Sequence, residues 1–156
     1  MPTKQVLERA KRDKQQGKAA TTQAGEFIRE EFHHIREGKH GARSPRQAIA
    51  IGLSKARRAG VELKPPAVGE QPESTRRKAD HDYERGHGAT PARRSTAKRR
   101  AATARALKRE SRASGSRSAI GSHAHESAAA RSKAQRSAAA KQAARTRTAN
   151  AGARDI

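Results

Sequence analysis

Large apolar side chains crowd into the first part of the chain. Val6, Leu7, Phe27, Ile28, Phe32, Ile35, Ile49, Ile51, Leu53, Val61, Leu63 and Val68 come first, and beyond them stand only Tyr83, Leu107, Ile120 and Ile156. The spacing of the early set predicts helices. Val6, Leu7 and Ala10 form a short stripe behind a Thr3 cap, with Gly17 placed to end it. Ala24, Ile28, Phe32 and Ile35 recur at helical spacing behind Thr22, with Phe27 beside them. Glu26, Glu30 and Glu31 lie toward the first half of that helix and Arg36 near its end, as the macrodipole favours; Gly38 and Gly41 then break it. Ser44-Pro45-Arg46-Gln47 reads as a capping box, with Ser at the N-cap, Pro at the first helical position and Gln at the third. Ile49, Leu53 and Ala56 continue it as a helix, Arg57 and Arg58 fill the last turn, and Gly60 stands where a C′ glycine belongs.

The pattern divides the chain into four. Residues 1–20 form a basic helix or arm, 21–64 a helical hairpin, 65–90 a linker with Pro65, Pro66 and Pro72, and 91–156 a low-complexity tail of Ala, Arg, Lys, Ser and Thr. The expected fold class is mostly α: a short hairpin of two to three helices, followed by a long, basic, largely disordered or conditionally helical tail. The tail has too few apolar residues to offset its ordering entropy. Its Ala and Arg favour helix, but neighbouring cations repel, so helix is expected on a neutralising phosphate, starting at Thr90-Pro91 and Ser122. A hairpin of this size is itself short of core, and is expected to form a homodimer, pack on the first helix or fold on its ligand.

Charge changes the picture most. Lys and Arg number 36 against 15 Asp and Glu, a formal net charge of +21 in 156 residues. Such a chain calls for a polyanion, and nucleic acid supplies one whose condensed counterions are released on binding. A membrane surface is the weaker partner, because the most basic stretch lacks the Leu, Phe or Trp face of an interfacial helix. No Cys is present, so disulfides, thiolate zinc sites and Cys nucleophiles are excluded. No apolar run approaches a signal segment or a membrane span, and the expected location is cytoplasmic and nucleoid-associated.

The turn from Gly38 to Ser44 brings Lys39, Arg43 and Arg46 around a helix N-terminus that could hold one phosphate; the other reading is a solvated turn with a good cap. Ser44, Arg57 and Arg58 join that candidate nucleic-acid-binding set, and the tail adds Arg93, Arg94, Lys98, Arg99, Arg100, Lys108, Arg109, Arg131, Lys133 and Lys141. A helix-turn-helix is disfavoured, since the connection from Gly38 to Arg43 exceeds the usual three to four residues. Seven histidines invite a metal reading. His33 and His34 are adjacent and diverge on a helix, so no metal and no cofactor is expected. Stacking of bases has no platform: there is no Trp, and Tyr83 is the sole aromatic after Phe32.

The stretch from Glu26 through Gly60, above all Arg46-Gln47-Ala48-Ile49-Ala50-Ile51-Gly52-Leu53-Ser54-Lys55-Ala56-Arg57-Arg58-Ala59-Gly60, resembles a family of small bacterial and phage-associated proteins. Their hallmark is a basic turn followed by such a helix; their function is uncharacterised, and some are described as DNA-binding. The resemblance implies a shared helical module. The Ala/Lys/Arg-rich tail is similar to bacterial histone-like tails.

The function expected from these features is non-enzymatic, largely sequence-independent binding of nucleic acid, DNA before RNA, in a nucleoid-associated or architectural role. No nucleophile–base pair, Gly-rich phosphate loop or buried carboxylate pair can be assembled for catalysis. Two alternatives fit the same residues. One is a protein-interaction hairpin with an RNA-binding tail, the other a stress-type hydrophilic disordered protein.

Overall fold

Local chemistry sets most of the helix ends. A computed structural model describes residues 2–88 and 96–152, and among these are seven α-helices: α1 (Lys4–Gln15), α2 (Ala20–Arg36), α3 (Pro45–Arg58), α4 (Glu73–Gly86), α5 (Ala97–Arg109), α6 (Arg117–Ala129) and α7 (Lys133–Gly152). A 3-10 turn at Ala113–Gly115 separates α5 from α6. Thr3 caps α1, its Oγ1 accepting the Val6 amide at 3.4 Å. Ser44 caps α3 by accepting the Gln47 amide at 3.3 Å, and Gln47 Oε1 returns to the Arg43 amide at 2.6 Å, one residue before the cap. Gly38 and Gly60 take φ of +75° and +84°, which lets the Lys39 amide reach the His34 carbonyl and the Val61 amide reach that of Ala56. Helix α4 starts behind Pro72 with no side-chain cap, and so does α2 behind Ala19. Thr22 lies inside the first turn of α2, its amide already bonded to the Ala19 carbonyl at 2.9 Å.

The chain forms two compact units, Met1–Ala119 and Ile120–Ile156. In the first, Val6 and Ala10 of α1, Ala24 and Phe27 of α2, and Ala56 and Val61 from α3 and just beyond it make the core, with Ala20, Leu53 and Leu63 packed at its edge. Of the three routes open to the hairpin, packing on the first helix is realised here. Phe27 and Ile35 are fully buried within the chain. Helices α2 and α3 meet at Gly52, where a Cβ would lie 2.8 Å from the Ile28 Cα.

Two expectations are corrected. The region predicted as a linker carries α4, which packs along α3. It escapes a search for apolar periodicity because Ala79 is its sole buried residue. Polar contacts hold it: Ser54 Oγ donates to an Asp82 oxygen at 2.5 Å, Arg58 lies 3.4 Å from the same carboxylate, and the Tyr83 hydroxyl donates to Glu62 at 2.9 Å. Gly86 seats the end of α4 on the Arg57 carbonyl, where any Cβ would overlap.

The tail is the second correction. It is not a disordered arm: from Thr96 to Gly152 it is α5, α6 and α7 with short connections, so the chain is all-helical and not a two- or three-helix hairpin with a loose extension. Backbone bonds in a helix are local and need no core, and Ala, Arg, Lys and Gln carry high intrinsic propensity. The caps are local too. Thr96 accepts the Arg99 amide, Ser116 the Ala119 amide, and Ser132 and Gln135 form a reciprocal capping box. These are the observed starts; Ser122 lies within α6, and Thr90-Pro91 falls outside the described residues.

Candidate functional site

Helix α5 concentrates the charge. Lys98, Arg99, Arg100, Arg105, Lys108 and Arg109 occupy it with no acidic residue between Ala97 and Arg109, and none of its residues is buried. At 100° per residue, Lys98, Arg105 and Arg109 fall within about 40° of one another, a single cationic stripe along the helix.

Tertiary contacts place that helix against the basic turn. The Gly41 amide donates to the Leu107 carbonyl at 2.9 Å, and the Ala42 amide to that of Ser111 at 3.1 Å. Gly41 sits so close to the Glu110 carbonyl that a Cβ would overlap it, and the Arg112 guanidinium crosses over Gly38. The end of α5 thus meets the turn that carries Lys39 and Arg43, joining cations that lie far apart in sequence.

The predicted residues fare differently. Lys39 is exposed but its Nζ lies 2.8 Å from a Glu37 oxygen. Arg43 and Arg46 are exposed, with Arg46 donating to Gln71 at 3.2 Å. Ser44 and the Gln47 amide are spent on the cap, and Pro45 has no N–H, so the helix end offers few free donors for a phosphate. Arg57 is buried, and its Nε donates to the Leu63 carbonyl at 3.0 Å. Burial pushes its guanidinium below the ordinary value, against the pull of Asp82 and Asp80. Its role is internal. Arg58 is tied to Asp82 and Ser54. In the second unit, Lys133 and Lys141 are exposed on α7 with Arg136, Arg145 and Arg147, and Arg131 is exposed in the turn before it. Arg93 and Arg94 lie outside the described residues.

A second feature lies beneath the turn. Glu31 is almost wholly buried, at 1% exposure. His40 Nε2 stands 2.7 Å from its Oε1, and Lys55 Nζ 2.6 Å from its Oε2. His34 joins them, its ring edge-on to His40 at 6.0 Å between centroids. Next to this group, Glu30 Oε1 accepts the Thr3 amide at 2.8 Å, while its buried Oε2 accepts no hydrogen bond. Burial pushes the Glu30 carboxyl up, but the Thr3 bonds and the fields of Lys55 and His34 outweigh it and hold it below the ordinary value. Among the described residues, Glu31, His34 and His40 are the one set of three ligand-type side chains with donor atoms within 4.8 Å of one another. In the sequence, the adjacent His33 and His34 diverge on a helix and make no joint site. The signal was Glu31 and His34 at i, i+3; His40 could not be placed, because the chain's direction after Gly38 depends on a positive φ.

No helix among the described residues is long and apolar enough to cross a membrane. No family model, curated protein or solved structure matches the chain.

Proposed function

We propose that this protein is a non-enzymatic binder of nucleic-acid backbone, duplex DNA before RNA, acting without sequence preference in a nucleoid-associated or architectural role in the cytoplasm. The observation that carries the reading is α5: an exposed helix with six cations and no acid, abutting the turn of Lys39 and Arg43 at its C-terminal end. Phosphate contacts of this kind drive association by releasing counterions and carry no base information. A preformed helix presents its cations without the ordering cost that a flexible arm would incur on binding. Helix α7 repeats the composition, with five Lys or Arg and no acid from Lys133 to Gly152.

Gel-shift titration of random duplexes over a range of salt tests it. Affinity should fall linearly on a log–log plot with a slope of about −0.9 per phosphate contacted, and the K98E/R105E/R109E chain should bind more weakly with a shallower slope. Binding that ignores salt, or that is unchanged in that variant, refutes the assignment.

A further inference from the structure

We propose that Glu31, His34 and His40 form a binding site for one divalent transition-metal ion, with Zn²⁺ the best-suited common occupant. The donor set is two imidazoles and a carboxylate, the combination that three-ligand zinc sites use while leaving a fourth position to water. Their donor atoms already lie within 4.8 Å of one another among the described side chains. Glu31 and His34 project from one face of α2, three residues apart, and the left-handed Gly38 turns the chain so that His40 comes back over them.

Three details distinguish this group from a chance cluster. First, His40 Nδ1 lies 3.0 Å from the Gly41 carbonyl, which can only accept, so Nδ1 carries the hydrogen. Nε2 then turns toward Glu31 Oε1 at 2.7 Å, where either a second proton or a cation must stand between two lone pairs. A backbone carbonyl on the far ring nitrogen is the usual outer support of a metal-bound histidine. Second, Lys55 engages the other carboxylate oxygen, Oε2, at 2.6 Å. It fixes the carboxylate's orientation and leaves Oε1 to the ion. Third, the neighbouring Glu30 is 6% exposed, and its Oε2 is buried without a hydrogen-bond partner. Zinc bonds of about 2.0–2.2 Å set tetrahedral donor atoms roughly 3.3 Å apart. The Glu31–His40 contact must therefore lengthen and the wider separations close when the ion binds.

Calorimetric titration of the full chain with Zn²⁺, paired with thermal unfolding, decides the matter. About one ion per chain should bind and raise the unfolding midpoint. Affinity should fall at least tenfold in His34→Gln and stay unchanged in His33→Ala and in the His123→Ala/His125→Ala double variant. No binding, undiminished affinity in His34→Gln, or loss confined to the double variant would overturn the site. Should His34→Gln lose its helical signal, ¹⁵N spectra of the unaltered chain take over. Zn²⁺ must then shift His40 Nε2 and one ring nitrogen of His34, and rings that stay unshifted count against it.

Discussion

Gly52 of α3 lies so close to Ile28 of α2 that a Cβ at position 52 would come within 2.8 Å of the Ile28 Cα. The obstacle is backbone, which cannot rotate away. Gly52→Ala gains about 1 kcal/mol of helix propensity but must force the two helices apart, a cost of about 1–3 kcal/mol. The contact should win, and urea unfolding should show a net loss. Gly25 is the control: it sits in α2 with nothing within 4 Å of an added Cβ, so Gly25→Ala should stabilise. Equal stabilisation by both would mean that the helices do not approach at Gly52.

Arg57 and the α5 stripe should separate stability from affinity. Arg57→Gln removes a buried guanidinium that satisfies the Leu63 carbonyl, and should cost about 1–3 kcal/mol while leaving DNA affinity unchanged. The K98E/R105E/R109E chain should do the reverse, since none of these three side chains is buried. Unfolding curves and gel shifts on the same samples make the comparison.

Ser44 was expected to serve a phosphate, and its hydroxyl is committed to the Gln47 amide. Ser44→Ala should lower stability by about 1 kcal/mol, and Ser44→Asp, which retains a capping oxygen, should restore most of it. Thermal unfolding followed by circular dichroism reads both.

Helix α4 should loosen in acid. Hydrogen bonds from Arg76 and then Arg77 hold the Glu73 carboxyl at about 2, below its ordinary 4.5. A carboxyl depressed on folding contributes stability that is fully present above the unfolded value and fades as pH falls from there toward the folded one. The protection factors of amides across Glu73–Gly86, taken relative to the intrinsic exchange rate at each pH, should therefore fall between pH 4.5 and about 2. Glu73→Gln should remove that part of the pH dependence. An unchanged profile in the variant would assign the acid sensitivity elsewhere.

Much of the first three helices was legible because their signals are local. Thr3, Ser44, and the glycines at 17, 38 and 60 act on atoms within a few residues, and each does so in the fold, while Gln47 turns back as a capping box predicts but takes the Arg43 amide in place of that of Ser44. Helix α4 was hidden because one alanine and a set of cross-chain polar contacts replace an apolar stripe. The order of the tail is hidden for a related reason. Lack of core predicts lack of order, yet high propensity and Ser/Thr caps accompany α5 and α6, in which no residue is buried.

What the sequence by itself determined is the charge, the lack of thiol chemistry, and the helical punctuation of the first sixty residues, all set by composition and near neighbours. Tertiary structure alone decided which cations share a surface and which polar groups are buried together. Arg57 turned inward, the Gly41 amide found the Leu107 carbonyl, and His40 returned over Glu31. These outcomes depend on helix crossings and on the direction of the chain after a left-handed glycine, and side-chain spacing does not encode either.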